Sequence, residues 1–120
     1  MCYDGSKSSV FAIKQFTYLF PQLTDLPCIL LQVNRGSEWT IENEDEIKQW
    51  LNTHYSQCGF EVLHGNVEDK LLEYMNENSS RDAFVIMGAY GRNNFSILIK
   101  ESRANLLIKT IDLPIFISHQ

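Results

Sequence analysis

The sequence predicts an α/β domain, an open sheet of five parallel strands with helices on both faces. Three observations carry this. Short apolar runs alternate with segments whose apolar residues recur at helical spacing along the 120-residue chain. The runs Cys28-Ile-Leu-Leu-Gln-Val33 and Ala83-Phe-Val-Ile-Met87 have the nearly continuous apolar character of strands covered on both faces. A glycine turn, Gly88-Ala-Tyr-Gly91, follows the second run directly, where a strand-to-helix corner belongs.

In chain order, Met1-Cys2-Tyr3 is the first strand, short beside the five or six residues of an ordinary one. It reads as a truncated strand, with the chain as one half of a tandem-domain protein; a tolerated short strand and lost leading residues are the alternatives. A helix over Ser8–Phe20 follows, with Val10, Ile13, Phe16 and Phe20 on one face, Asp4 or Ser6 as its cap and Pro21 beyond its end. The strand Cys28–Val33 leads into a loop over Asn34–Ile41. A second helix, from about Glu42 to Gln57, carries Ile47, Trp50, Leu51 and Tyr55 on one face and is ended by Gly59. Its acidic start, Glu42 to Glu46, suits the positive end of the helix dipole. Phe60–His64 is a short strand. Asn66 caps a third helix bearing Val67, Leu71, Leu72 and Met75. The strand Ala83–Met87, the glycine turn, a helix around Ser102–Thr110 and a last strand, Leu113–Ser118, complete one domain over residues 1–120. In sheets wound this way ligands bind beyond the carboxyl ends of the strands, where strand order reverses.

Hydrophobic residues make up 44% of the chain and charged ones 21%, the balance of a soluble globular domain with a conventional core. A net charge of -5 with no basic stripe argues against nucleic acid as a partner, because such binding rests on neutralising backbone phosphates. No apolar run is long enough to span a bilayer and no signal-peptide pattern opens the chain, so a cytoplasmic location is expected. The three cysteines, Cys2, Cys28 and Cys58, show no CxxC spacing and are expected as reduced thiols, with Cys28 packing as a small hydrophobe.

Asp4-Gly5-Ser6 after the first strand, Gly88 and Gly91 after the fourth, and Ser102 ten residues or so beyond form an ordered set. In this order and spacing the chain resembles the universal stress protein family over Asp4 to His119. Nucleotide-binding members of that family carry Gly, two residues, Gly, nine residues, then Gly and Ser or Thr. Gly88, Gly91 and Ser102 match, and Glu101 stands where the third glycine belongs. The resemblance implies the fold of the adenine-nucleotide alpha-hydrolase group and a stress-response regulatory role. It implies ATP or AMP binding by Asp4, Val33, Met87, Gly88, Gly91, Arg92 and Ser102, with hydrolysis slow or absent. It also implies a homodimer, or a tandem-domain pair, joined through the last strand at Ile115, Phe116 and Ile117.

Each of these residues has a plainer reading beside the functional one. Asp4-Gly5-Ser6 can cap a helix and do nothing more. The glycine turn can serve positive φ alone. Glu101 at a helix start can satisfy the free N–H groups itself, and at ~4 Å from a phosphate it would repel by roughly 1–4 kcal/mol per unit charge. The alternative within the fold is therefore a degenerate domain that binds no nucleotide, needs no cofactor and acts by protein association. A small hydrolase or phosphotransferase is a third class, for which no base–nucleophile pair is visible. His54, His64 and His119 lack metal-ligand spacing, and the G-x-S-x-G, P-loop and GxGxxG motifs are all missing.

Overall fold

The computed structural model describes residues 1–78, 82–88 and 113–118. Its elements run α1 (Lys7–Leu19), a 3-10 turn (Pro21–Leu23), β1 (Cys28–Asn34), α2 (Glu44–His54), β2 (Cys58–His64), α3 (Val67–Glu77), β3 (Val85–Gly88) and β4 (Ile115–Ser118). The helix expected around Ser102–Thr110 lies outside the described residues.

Local chemistry sets the boundaries. Ser6 caps α1, its Oγ accepting from the Ser9 N–H at 3.1 Å. Pro21 ends the helix because it has no N–H to donate, and the chain tightens into the 3-10 turn. α2 begins two residues later than the periodicity predicts, because Asn43 adopts a left-handed conformation at φ 50°. It also ends earlier, at His54, where Tyr55 turns extended and buries its ring, its hydroxyl 2.8 Å from Thr17 Oγ1. Gly59 therefore does not stop this helix; it sits inside β2, paired with Ile29. Asn66 caps α3 as expected, Oδ1 accepting from the Asp69 N–H at 3.1 Å.

All strand pairing among the described residues is parallel, in two sheets of two strands, β1–β2 and β3–β4. Four strands thus stand where five are expected. Met1–Tyr3 is too short to form a regular ladder, yet its backbone is bonded on both sides. Leu31 N–H donates to Met1 O at 2.8 Å and Tyr3 N–H to Leu31 O at 2.9 Å, while Cys2 N–H donates to Ile86 O at 2.8 Å.

Side-chain alternation along the strands divides the core into two clusters. Leu30 and Ile86 point to one face and pack with Ala12, Ile13 and Phe16 of α1 and Ile47 and Leu51 of α2. Leu31, Val85 and Met87 point to the other and pack with Leu71, Leu72 and Met75 of α3. Burying each such side chain is worth about 1.5–3 kcal/mol, so neither face is dispensable. Of the last strand, Ile115 is exposed, whereas Phe116 joins the first cluster and Ile117 the second. Phe116 lies 5.4 Å from the Phe16 ring and 6.1 Å from Phe20, so it takes part in the aromatic packing under α1.

Candidate functional site

The strands run parallel, so their carboxyl ends gather on one edge of the fold. The turn after Met1–Tyr3, the end of β1, the end of β2 and the end of β3 all meet there. Asp4 is exposed and its Oδ1 accepts from the Ser6 N–H at 2.8 Å, a local turn that delivers the chain to the α1 cap. Gly5 takes φ +81°, and a Cβ on it would lie 2.6 Å from Glu42 Cβ. Glycine is required here twice over, for the left-handed backbone and for the close approach of the 35–42 loop.

That loop is held by a polar network that sequence reasoning missed. Gln32 is buried inside β1 and bonds in two directions: Nε2 donates to Asn34 Oδ1 at 2.7 Å, and Oε1 accepts from the Glu42 N–H at 3.0 Å. Asn34 Nδ2 donates to the carbonyls of Glu38 and Thr40. His64 Nε2 lies 2.6 Å from Glu38 O, and the 72% exposed Trp39 ring meets the His64 ring edge-on at 4.1 Å. The Tyr3 hydroxyl donates to Glu42 O at 2.6 Å. Burial raises the Tyr3 pKa, and the Glu42 carboxylate adds to the rise. The signal available in sequence was Gln32 itself, a polar residue within an apolar run with Asn34 two places along on the same face.

Of the nucleotide residues expected from sequence, Asp4, Val33, Met87 and Gly88 come to this edge. Val33 is half-buried one residue before the end of β1. Met87 is fully buried against the α3 side, which leaves its backbone as its only means of contact with a ligand. Gly88 closes β3 without the positive φ expected of a corner glycine. Its role is spatial: a Cβ there would stand 2.6 Å from Ser8 O and 2.7 Å from Ser8 C, backbone atoms of α1. The first turn of α1 holds no acidic side chain. Gly91, Arg92, Glu101 and Ser102 lie outside the described residues, as do Tyr90 and His119.

The opposite edge, where the strands begin, is apolar. A cleft of about 640 Å³ is lined there by residues that include Leu23, Leu26, Cys28, Tyr74, Val85 and Pro114. Cys28 and Cys58 are opposite each other in the β1–β2 register, with their sulfurs 2.9 Å apart. Sequence spacing gave no hint of this pair, because it depends on which strands become neighbours. Among the described residues no group of three or more His, Cys, Asp or Glu side chains could hold a metal ion, and no helix is long and apolar enough to cross a membrane.

No protein-family model, curated protein or solved structure matches the chain.

Proposed function

We propose that the protein is a cytoplasmic regulatory domain of the universal stress protein type, with an adenine-nucleotide site, for ATP or AMP, at the carboxyl edge. The observation that carries this reading is the backbone bonding of Met1–Tyr3 to β1 on one side and to β3 on the other. It supports a five-stranded parallel order β2, β1, Met1–Tyr3, β3, β4. In that order the chain winds outward from the centre to β1 and β2, then crosses back to β3 and β4. The reversal leaves a crevice between the ends of the central segment and β3, bounded by Asp4 and Gly88, and such crevices are where open α/β sheets take ligands. Asp4 would accept from ribose hydroxyls. The backbone at Val33 would meet adenine, and Met87, Gly88, Gly91, Arg92 and Ser102 would line the phosphates beside the start of α1, whose first turn carries no acidic side chain.

A second reading, a nucleotide-free domain that acts by association, is favoured by a specific feature of the same edge. At both Gly5 and Gly88 the space that a Cβ would fill is already taken by protein atoms, Glu42 Cβ and Ser8 O, each at 2.6 Å. These two glycines are thus accounted for by packing.

Titration calorimetry with ATP and AMP separates the two. The nucleotide reading expects weak binding by the native chain and at least ~10-fold tighter binding, about 1.4 kcal/mol, by Glu101→Gly, with the gain removed by Asp4→Ala. Absence of heat in both the native chain and a Glu101→Gly variant shown by melting to be folded discards that reading. A dimer detected by light scattering in the same samples would then support association through the edge of β4.

A further inference from the structure

We propose that Cys58 and Cys28 form a peroxide-responsive modification site at the amino edge, in which Cys58 is oxidised first and Cys28 resolves it to an intramolecular disulfide joining β1 to β2. This goes beyond the nucleotide reading and does not depend on it.

The placement is specific. The two residues are directly registered on adjacent parallel strands. Neighbouring strands lie about 4.8 Å apart, inside the roughly 4.4–6.8 Å window of Cα separations that a disulfide spans. The sulfurs already face each other at 2.9 Å, with the Cys28 thiol donating to Cys58 Sγ. Both side chains are half-buried, which leaves room for a small oxidant to reach them. Cys2 offers an internal contrast, since it is buried and raised in pKa chiefly by desolvation.

The direction of the hydrogen bond, from the Cys28 thiol to Cys58 Sγ, assigns the roles. The hydrogen bond from Cys28 holds the Cys58 pKa below the ordinary thiol value against the opposing effect of burial, and the Leu30 backbone adds a smaller push in the same direction. Cys28, as the donor, is raised. A thiolate is the nucleophile toward peroxide. Cys58 sulfur therefore attacks one oxygen of a hydroperoxide and the O–O bond breaks. The Cys58 sulfenic acid forms, and the departing oxygen leaves as an alcohol or water after taking up a proton. Cys28 sulfur then attacks Cys58 sulfur. The S–O bond breaks, and hydroxide leaves as water with the Cys28 proton. The two sulfurs have together lost two electrons, which the peroxide has gained.

The disulfide would close a loop that contains α2 and the 35–42 segment, so oxidation constrains the same loop that covers the carboxyl edge. Because cross-linking removes conformational freedom from the unfolded chain, the oxidised protein should melt higher by roughly 5–10 °C.

The test uses the reduced full chain with about one equivalent of hydrogen peroxide. Intact mass should fall by two hydrogens, peptide mapping should recover Cys28 linked to Cys58, and Cys2 should remain alkylatable after unfolding. In Cys28→Ser the reaction should stop at a sulfenic acid on Cys58 that dimedone traps; in Cys58→Ser peroxide consumption should fall at least ~10-fold. The mapping needs no variant, so a variant that fails to fold does not remove the test. A native chain that accumulates sulfinic acid, links cysteines between molecules, reacts first at Cys2 or Cys28, or gains no thermal stability on oxidation overturns the proposal.

Discussion

At the carboxyl ends of the strands, Gln32, Asn34 and His64 tie the 35–42 stretch down through side-chain hydrogen bonds, and two glycines let backbones and side chains press together. At the amino ends, the first residues of β1 and β3, with Leu113 and Pro114 just before β4, face an apolar cleft whose walls are shared by both core clusters. One edge is organised by directional bonds that fail if a single partner is lost. The other relies on area, which tolerates substitution in proportion to the volume removed. The difference teaches where to look for function: polar order accompanies the strand ends at which a ligand would sit, and the only close pair of thiols among the described residues lies at the other edge.

The largest expected effect belongs to the apolar side. Phe16 lines the cleft, is 5% exposed and contacts the rings of Phe20, Phe84 and Phe116 at 5.0, 5.9 and 5.4 Å. Phe16→Ala should cost about 3–5 kcal/mol in urea denaturation. A loss under about 1 kcal/mol would mean that the cleft collapses to fill the space, and the contrast between edges would weaken.

Gly88→Ala should come next, at about 2–3 kcal/mol, because the added methyl meets the Ser8 carbonyl, which can move only if α1 moves. If the variant is as stable as the native chain, the helix can slide, and Gly88 returns to being explained by a ligand.

Gln32→Leu should cost about 1–2 kcal/mol, since the Glu42 N–H and the Asn34 side chain lose their partner while the apolar volume is kept. Hydrogen exchange should accelerate in residues 35–42 and stay unchanged in α3. Uniform acceleration throughout the chain would show that Gln32 supports the core rather than the loop.

The smallest effect is a slope with pH. Cys2, Tyr3 and Tyr55 all have raised pKa values, each led by burial, so the folded state holds their protons to higher pH than the unfolded chain does. Their contribution is complete below the unfolded values, about 9 for the thiol and 10 for the phenols, and is lost as pH rises through the folded ones. Melting temperature should therefore fall between pH 8 and pH 11, and Tyr3→Phe, though less stable at neutral pH without its bond to Glu42 O, should show the shallower fall. An equally steep fall in that variant would exclude Tyr3 as a source of the slope.

Much of this architecture was legible in the residues. The caps Ser6 and Asn66, the buried faces of α1 and α3 and the double-sided burial of β1 all follow from periodicity and capping chemistry, which act over a few residues. The errors came where a distant partner overrode the local signal. α2 starts late and ends early because Glu42 is held by Gln32 and Tyr3, and Tyr55 by Thr17. Gly59 looked like a helix stop and is a strand residue because β1 lies beside it.

Local order of elements, their faces and the excess of acidic charge are properties of neighbours along the chain, and the amino-acid sequence carries them without help. Adjacency across the strands is different. That Met1–Tyr3 bonds to both β1 and β3, that Gly88 abuts Ser8, and that Cys28 faces Cys58 depend on which segments meet after closing long loops. The free energy of that choice is a sum over both core clusters rather than a preference written at any one position, which is why these three contacts, and the two candidate sites they define, emerge only once the chain has folded.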